Sequence, residues 1–304
     1  MNNGDIVYQD LCDLVGSENV LRDELMSRHT SFRIGGPADF FVMPDERSLP
    51  AVVDYCRTNE VPCLVIGNGS NLLCGDRGVE GVVIEIGKRM SAIEVDDNRV
   101  IAQAGALLSA IATAAVQEGL TGFEFAAGIP GSIGGAAVMN AGAYDGEMKD
   151  ILTEITILMP DGGMRTIPAE ELDLSYRHSI IPGKGWIVLS VTICLKHGRK
   201  EDINARMEEL KELRTSKQPL EYPSAGSTFK RPEGFFAGKL IDDAGLRGSA
   251  CGGAQVSEKH CGFIINRGNA TASDVRSLME QVQADVREQF GVELEPEVKF
   301  VGRF

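Results

Sequence analysis

Two glycine-rich segments of the sequence could bind an anion through the backbone alone. The first is 67–71 (GNGSN) and the second is 128–135 (GIPGSIGG), and neither contains a charged residue. Because glycine has no side chain, such segments can approach a bulky ligand closely and direct several N–H groups at it. The pair therefore predicts two loops that hold a diphosphate from opposite sides without the help of a lysine.

The second segment lies in an uncharged stretch, 125–144 (FAAGIPGSIGGAAVMNAGAY). A membrane-spanning helix needs roughly 20 apolar residues, so the length of this stretch alone would suit one. Its composition argues against a span, since five glycines and a proline interrupt it and its six alanines add little hydrophobicity. We expect a loop inside the protein.

The surroundings of the first segment exclude a Rossmann dinucleotide fingerprint. That fingerprint is GxGxxG followed by a helix, with an acidic residue about 20 positions later. Here Leu72 occupies the position of the third glycine, and the chain continues through CGDRGVEG into a predicted strand. An isolated GxG is as often a simple tight turn. The prediction of ligand binding therefore depends on both segments together.

Composition narrows the function classes further. The chain has 304 residues, a net charge of −14 and seven cysteines. Such an acidic protein is a poor partner for nucleic acid or an anionic membrane, because both require clustered Lys and Arg. The cysteines form no CxxC pair and the histidines no HExxH, which predicts reduced thiols and no metal site. No basic residue precedes Arg22, so we expect no signal peptide and a cytoplasmic protein.

Hydrophobic periodicity and turn residues predict the elements that position these loops. Helices are expected at 5–28, after Asp45, and at 107–120, 200–217 and 271–290; strands are expected at 38–44, 63–66, 81–86, 93–105, 186–198 and 292–304, with a hairpin turning at 161–163.

Eight motifs in this order resemble the UDP-N-acetylenolpyruvoylglucosamine reductase family, a group of bacterial flavoenzymes. They are RIGGPADFFVMP, VIGNGSNLL, AGIPGSIGGAAVMNAGAYDGEM, SYRHS, PSAGSTFKRPEG, KLIDDAGLRG, GGAQVSEKHCGFIIN and LEPEVKFVG, and the resemblance extends over nearly the whole chain. This resemblance implies an α+β protein with a vanillyl-alcohol oxidase-like (PCMH-type) two-part FAD-binding fold and an additional α+β substrate-binding domain.

The resemblance also implies a domain division and a cofactor site. The FAD-binding subdomains are expected at 1–86, completed by the C-terminal strand 294–304, and at 87–200, with the substrate-binding domain at 201–293. FAD is expected to bind non-covalently, with NADPH as the reductant. The residues implied at the cofactor are Gly67, Asn68, Gly69, Ser70, Asn71, Gly128, Ile129, Pro130, Gly131, Ser132, Gly134 and Gly135.

The family reduces an enolpyruvyl ether to a lactyl ether, and motif positions assign roles here. Arg177 and Glu297 are implied at the substrate carboxylate and Ser227 as the proton donor; Tyr176, Lys217, Gln255 and Lys259 are implied at the substrate. Taken singly, four of these residues have simpler interpretations. Arg177 could form a surface ion pair, and Glu297 could face outward from an edge strand. Ser227 could be a turn hydroxyl, and Lys217 could be a charge at the end of a helix. Glu295 would share a strand face with Glu297, so the two are easily confused.

The sequence departs from the family in two places. The short run after SYRHS resembles the shorter branch, which lacks a tyrosine-bearing loop, so no residue is assigned to that tyrosine's role. Arg231 stands where some members carry an asparagine that contacts substrate, and no contact is assigned to it.

Two other functions are compatible with the same motifs. One is an FAD oxidase of the same superfamily that acts on an alcohol or aldonolactone. Such enzymes commonly attach flavin through a histidine or cysteine, and the two loops contain neither. The other is a non-catalytic nucleotide-sugar sensor, against which the joint presence of Arg177, Ser227 and Glu297 argues.

Overall fold

The computed structural model describes residues 3–304, which divide into two compact units. The first unit contains the residues up to Arg22, Phe40–Asn68 and Val82–Arg214, and the second contains Asp23–Asp39, Gly69–Gly81 and Thr215–Phe304. Each unit has its own hydrophobic core. The three-part division expected from the sequence remains a prediction.

Several of the predicted helices are confirmed, with small shifts at their ends. The helices are α1 (Asn3–Val15), α2 (Leu49–Thr58), α3 (Leu108–Gln117), α4 (Ile133–Val138), α5 (Lys200–Lys217), α6 (Ala237–Asp243) and α7 (Ala272–Phe290). The helix predicted over 5–28 is wrong beyond Val15. Gly16 has φ 86, a conformation that ends a helix, and the chain continues through 3-10 turns and a strand.

The structure contains eighteen strands in the described residues. They are β1 (Val20–Leu25), β2 (Pro37–Val42), β3 (Cys63–Ile66), β4 (Leu72–Cys74), β5 (Val79–Glu85), β6 (Ile93–Asp96), β7 (Arg99–Gln103), β8 (Leu120–Thr121), β9 (Gly142–Ala143), β10 (Gly146–Glu147), β11 (Leu152–Leu158), β12 (Met164–Pro168), β13 (Ile187–Cys194), β14 (Lys196–His197), β15 (Ala250–Cys251), β16 (Ala254–Val256), β17 (Ile264–Asn266) and β18 (Lys299–Val301).

The first unit is built around an antiparallel five-stranded sheet with the order β12-β11-β13-β7-β6. The predicted pairing within 93–105 and the predicted hairpin are both confirmed; Gly162, with φ 86, lies in the hairpin turn. Strands β3 and β5 pair in parallel, with Cys63 opposite Val82 and Ile66 opposite Glu85. Because β3 ends where the first glycine-rich segment begins, this pairing positions the entrance of that loop.

The uncharged stretch 125–144 folds as a loop, the six-residue helix α4 and the short strand β9. This outcome agrees with the prediction of an internal loop. In the part of the chain that the structure describes, no helix combines the length and apolar composition that a membrane crossing requires.

The second unit packs around α7. The predicted apolar face of this helix is confirmed, since Val275, Leu278, Met279, Val282 and Val286 are at most 1% exposed. A capping box begins the helix, because the Thr271 Oγ1 accepts a bond from the Asp274 amide while the Asp274 carboxylate accepts one from the Thr271 amide.

The strand predicted over 292–304 is confirmed only at β18, which pairs in parallel with β4. Pro296 has no N–H to donate to a ladder, so a regular strand is interrupted there. The residues around it form a single isolated bridge with Phe229 instead.

Candidate active site

The beginning of the first glycine-rich loop lies against the second loop within the first unit. Gly67 directly follows the end of β3 at Ile66. A Cβ added to Gly67 would lie 2.5 Å from the Ser132 Oγ, much closer than real Cβ contacts. Ser132 is 3% exposed, which leaves little room for it to move. The loops therefore converge here because Gly67 has no side chain.

The second loop is anchored by backbone bonds to the segment before α3. The Gly131 carbonyl accepts a bond from the Leu108 amide at 3.0 Å, and the Gly134 amide donates to the Ala104 carbonyl at 2.9 Å. A Cβ on Gly134 would lie 2.7 Å from the Ala104 Cβ. Gly134 therefore permits close packing of α4, and its N–H is already engaged and is not available to a phosphate.

Residues 69–71 of the first loop belong to the second unit. Gly69 has φ 60, and a Cβ there would lie 2.0 Å from the carbonyl oxygen of His29. The Ser31 amide donates to the Gly69 carbonyl at 3.3 Å. The loop thus packs against His29 and is hydrogen-bonded to Ser31. A substitution at Gly69 would disturb this packing whether or not a ligand is bound.

Asn71, the last residue of the first loop, is bonded to the segment that carries Glu297. Its Nδ2 donates to the Glu297 carbonyl oxygen at 3.0 Å, and its own carbonyl accepts the Lys299 amide at 2.9 Å. A residue predicted at the cofactor and a residue predicted at the substrate carboxylate are therefore neighbours within one unit.

Ser227 lies beside the same segment. The Glu297 amide donates to the Thr228 carbonyl at 2.9 Å, and Phe229 forms an antiparallel bridge with Pro296. The pairing begins immediately after Ser227. The backbone therefore brings the predicted proton donor and the predicted carboxylate ligand to adjacent segments.

A turn in the backbone comes directly before Ser227. Gly226 has φ 77, a left-handed conformation that favours glycine. Two residues earlier, the Ser224 carbonyl accepts a bond from the Ser31 Oγ at 2.7 Å. Ser31 thus holds both the first loop and the segment that leads to Ser227. Nothing in the sequence around Ser31 predicts this role.

Burial distinguishes Glu297 from Glu295. Glu297 is 8% exposed, whereas the Glu295 side chain is 69% exposed and pairs with the Nζ of Lys230. A buried carboxyl must have a partner, because desolvation without one is costly. Glu297 is therefore not an outward-facing residue of an edge strand, and Glu295 is the exposed carboxylate of this segment.

Arg177 lies at the tip of a tight turn in the first unit. Ser175 and His178 exchange both of their backbone bonds, at 3.2 and 3.1 Å. Arg177 has φ 54, which costs a side-chain-bearing residue about 1–2 kcal/mol. Its Nη2 donates to the Gly142 carbonyl at 3.2 Å, and its guanidinium carbon lies 5.3 Å from the centre of the Tyr176 ring. Backbone strain of this kind is concentrated at functional sites.

Asn140 supports this turn and was missed from the sequence. It is fully buried, and its Nδ2 donates to the Ser175 carbonyl at 3.0 Å and to the Glu147 carboxylate at 2.6 Å. Its Oδ1 accepts the Lys149 amide at 2.8 Å. Asn140 therefore fixes the strands β9 and β10 to the segment that carries Arg177.

Two of the residues predicted at the substrate lie near the end of α5. Lys217 is the exposed last residue of the helix. The Lys259 Nζ donates to the Thr215 carbonyl at 2.7 Å. Cations are favourable at a helix C-terminus, so this contact has a structural explanation in addition to the predicted role in binding.

Gln255 has an unsatisfied acceptor. Its Nε2 donates to the Gly248 carbonyl at 3.0 Å, but its buried Oε1 has no partner within the described residues. An unpaired buried acceptor is costly, and a ligand that donates a hydrogen bond would satisfy it. This agrees with the predicted place of Gln255 at the substrate.

Arg231, to which no contact was assigned, lies over an aromatic ring. Its guanidinium carbon is 4.0 Å from the centre of the Phe236 ring, and Phe236 is 62% exposed.

Comparison with known proteins decides the family. The chain matches an FAD-binding domain model over residues 37–167 and the C-terminal domain model of UDP-N-acetylenolpyruvoylglucosamine reductase over 218–301. The reductase of Agathobacter rectalis is 55% identical over 94% of this chain and 95% of its own. That of Caldanaerobacter subterraneus is 50% identical over 98% and 99%. The chain belongs to the UDP-N-acetylenolpyruvoylglucosamine reductase family.

Solved structures agree with this assignment. The crystal structure of UDP-N-acetylenolpyruvylglucosamine reductase from Thermus caldophilus has a TM-score of 0.80 and 38% identity, covering 92% of this chain and 98% of that one. Alkyldihydroxyacetonephosphate synthase, at 17% identity and a TM-score of 0.50 over 64% of this chain and 44% of that one, shares the fold alone. The predicted PCMH-type FAD-binding fold is confirmed.

The residues of the two loops fit the cofactor that the reductase family carries. Segments 67–71 and 128–135 contain no acidic side chain to repel a diphosphate. They converge at Gly67 and Ser132, where any larger side chain on the glycine would fill the gap. The chain is an FAD-containing oxidoreductase. The individual residues predicted to contact FAD remain predictions.

Proposed function

We propose that this chain reduces UDP-N-acetyl-3-O-(1-carboxyvinyl)glucosamine to UDP-N-acetylmuramate, with NADPH as the reductant, in the synthesis of peptidoglycan precursors. The observation that supports the assignment of residues is the backbone bond of Thr228 with Glu297, which makes the segment of Ser227 a neighbour of the segment that carries a buried glutamate. Membership of the reductase family supplies the substrate class.

The reaction determines what the residues must do. When bound, FAD carries the two electrons of NADPH to the CH2 carbon of the enolpyruvyl group as hydride. Negative charge then develops on the neighbouring carbon and spreads into the substrate carboxylate. Catalysis therefore needs a proton donor at that carbon and hydrogen-bond donors at the carboxylate.

Ser227 is proposed to give its Oγ proton to the carbon that becomes negative. A serine hydroxyl is a weak acid, but a carbanion-like centre is a strong enough base to accept its proton. Arg177 is proposed to hold the carboxylate, because a guanidinium offers two parallel N–H donors to its two oxygens. A Glu297 carboxyl that carries a proton can donate a further hydrogen bond there.

The remaining predicted residues are assigned to the nucleotide sugar. Lys217 and Lys259 would neutralise its diphosphate, and Tyr176 and Gln255 would contribute hydrogen bonds. The unpaired Oε1 of Gln255 supports this assignment most directly, since it requires a donor from outside the described residues.

We place the enzyme in the cytoplasm. All seven cysteines are free thiols, which a reducing compartment maintains. The charge of −14 gives no reason to expect a nucleic acid or an anionic membrane as a partner.

The proposed function is tested by following the flavin without oxygen. NADPH should bleach the yellow colour of the holoenzyme, and one equivalent of the enolpyruvyl nucleotide should restore it with formation of the lactyl ether. If an alcohol bleaches the flavin and oxygen alone restores the colour, the protein is an oxidase. If FAD binds but neither reductant nor substrate changes its colour, the protein is a sensor.

Replacing Arg177 with lysine should slow reoxidation by substrate much more than reduction by NADPH. Lysine keeps the charge but loses the planar fork that matches a carboxylate, and it removes the bond from Nη2 to Gly142. Stopped-flow measurement of each half-reaction checks this. Equal slowing of both would assign Arg177 to general binding instead.

A further inference from the structure

Arg214, which belongs to none of the sequence motifs, packs against the beginning of the second glycine-rich loop. It lies in the last turns of α5. A Cβ added to Gly128 would lie 3.2 Å from the Arg214 Cδ and 3.4 Å from its Nη1. Gly128 has no positive φ, so its backbone would accept a side chain. A side chain there would press on Arg214, which would have to shift by a few tenths of an ångström.

The charge of Arg214 has no acidic partner in the described chain. None of the ion pairs found within residues 3–304 includes it, although arginines and lysines on either side of it in the sequence are paired. The titratable side chain that acts on it is Tyr144, and burial lowers the pKa of the guanidinium from its ordinary value. A partly desolvated cation without a counter-charge is costly, so its retention indicates an anion that the protein alone does not supply.

The surroundings of Arg214 indicate which anion this is. On one side is Gly128, the first residue of the loop predicted to cradle FAD. On the other is Tyr144, which follows β9, and the Gly142 carbonyl of β9 accepts the bond from Arg177. Arg214 therefore lies near both the loop predicted to cradle FAD and the strand that supports the proposed catalytic arginine.

We propose that Arg214 is a cofactor-binding residue whose guanidinium neutralises a negatively charged group of bound FAD. The inference rests on the proposed function only in taking FAD as the cofactor at these loops. The sequence predicts that backbone groups alone bind the FAD diphosphate. The proposal differs from that prediction, because it adds the guanidinium of Arg214 to the backbone groups.

Two groups of FAD can supply the negative charge. The diphosphate is negative in both redox states, whereas the flavin ring gains negative charge only when it is reduced. The two are separated by comparing the affinity for oxidised FAD with the reduction potential, since charges near the flavin ring set its potential.

The test replaces Arg214 with glutamine and compares FAD release and reduction potential in the holoenzyme. A charge-assisted hydrogen bond to the diphosphate predicts roughly 10- to 100-fold weaker binding of oxidised FAD, with the potential unchanged. A contact with the reduced ring predicts nearly normal binding of oxidised FAD and a lower potential, by about 30 mV for each tenfold loss in relative affinity for reduced FAD. Either result supports the proposal, and Arg214→Lys should restore part of the effect.

Arg206→Gln is the matched control, because Arg206 lies on the same helix, is exposed and pairs with Glu209 at 2.7 Å. It should leave both quantities unchanged. Thermal unfolding gives a second readout. The FAD-free Arg214→Gln protein should be as stable as the unmodified one, whereas the stabilisation by added FAD should shrink.

Two results overturn the proposal. One is unchanged FAD affinity and potential in Arg214→Gln, even if NADPH or the nucleotide sugar binds less well. The other is an equal loss of stability with and without FAD, which would make the role of Arg214 structural. Both measurements use FAD alone, so their outcome does not depend on whether the proposed substrate is correct.

Discussion

Replacing Ser227 with alanine should lower turnover by roughly 10²- to 10⁴-fold, the range that a positioned general acid contributes. Reduction of the flavin by NADPH should be nearly unchanged, because it needs no proton at the substrate carbon. Both kcat and kcat/KM should fall together, since the lost interaction exists only in the transition state. Rapid-mixing measurement of the two half-reactions separates these effects.

The structure explains why this variant should fold normally. The contacts that fix the segment come from its neighbours: Thr228 accepts the Glu297 amide, Phe229 pairs with Pro296, and Gly226 provides the turn. None of these contacts uses the Ser227 hydroxyl. Unfolding by urea should therefore have the same midpoint in the variant and in the unmodified protein.

Ser224→Ala is the matched control. Ser224 lies on the same segment, but the bond from Ser31 reaches its carbonyl, which alanine retains. The control should keep nearly full turnover. Ser227→Cys should recover part of the lost rate, because a thiol can also donate a proton. Near-normal turnover of Ser227→Ala would show that water or another residue supplies the proton.

The local sequence pattern was sufficient to predict an element where the residues of that element determine its structure. The helix α7 and the hairpin of β11 and β12 follow from periodicity, a capping box and turn glycines. The helix α5, which is mostly exposed, follows instead from its charged composition and from Pro219 beyond its end. The same reasoning failed at 16–28, where apolar residues suggested a continuing helix. The conformation of Gly16 ends that helix, and the following residues form the strand β1, which pairs with β2, the next strand along the chain.

The glycines show why part of the site could not be assigned from sequence. Gly67, Gly69 and Gly134 belong to the same kind of motif but meet different neighbours: a serine hydroxyl, a backbone carbonyl and an alanine methyl. Only tertiary packing distinguishes a glycine that faces a ligand from one that lets two segments touch. Arg214 was missed for a related reason, since a helix-end arginine is ordinary until its lack of an acidic partner is seen.

Glu297→Gln and Glu295→Gln should differ by a large factor in turnover, although the two residues are separated by a single proline. Period-two alternation places both on one strand face, so the sequence cannot separate them. In the structure Glu297 is 8% exposed, and its backbone is bonded to Thr228 and to the Asn71 side chain. Glu295 is exposed and pairs with Lys230.

Glu297→Gln should lower turnover by roughly 10²-fold, because it replaces the acidic O–H proposed to donate to the substrate carboxylate with the weaker N–H donor of an amide. The amide is close in size to the carboxyl, so FAD content and the urea midpoint should change little. Glu295→Gln removes only an exposed ion pair, typically worth about 1 kcal/mol or less, and should leave turnover within about threefold.

Steady-state rates of the two variants with the enolpyruvyl nucleotide, measured beside their flavin reduction by NADPH, decide between the residues. A loss confined to the substrate half-reaction of Glu297→Gln places this carboxyl at the reacting group. A greater loss in Glu295→Gln would move the role to the exposed carboxylate, and it would show that the motif position alone had assigned the wrong residue. Similar small losses in both would remove the segment around Pro296 from the chemistry and leave Ser227 without a neighbouring carboxyl in the mechanism.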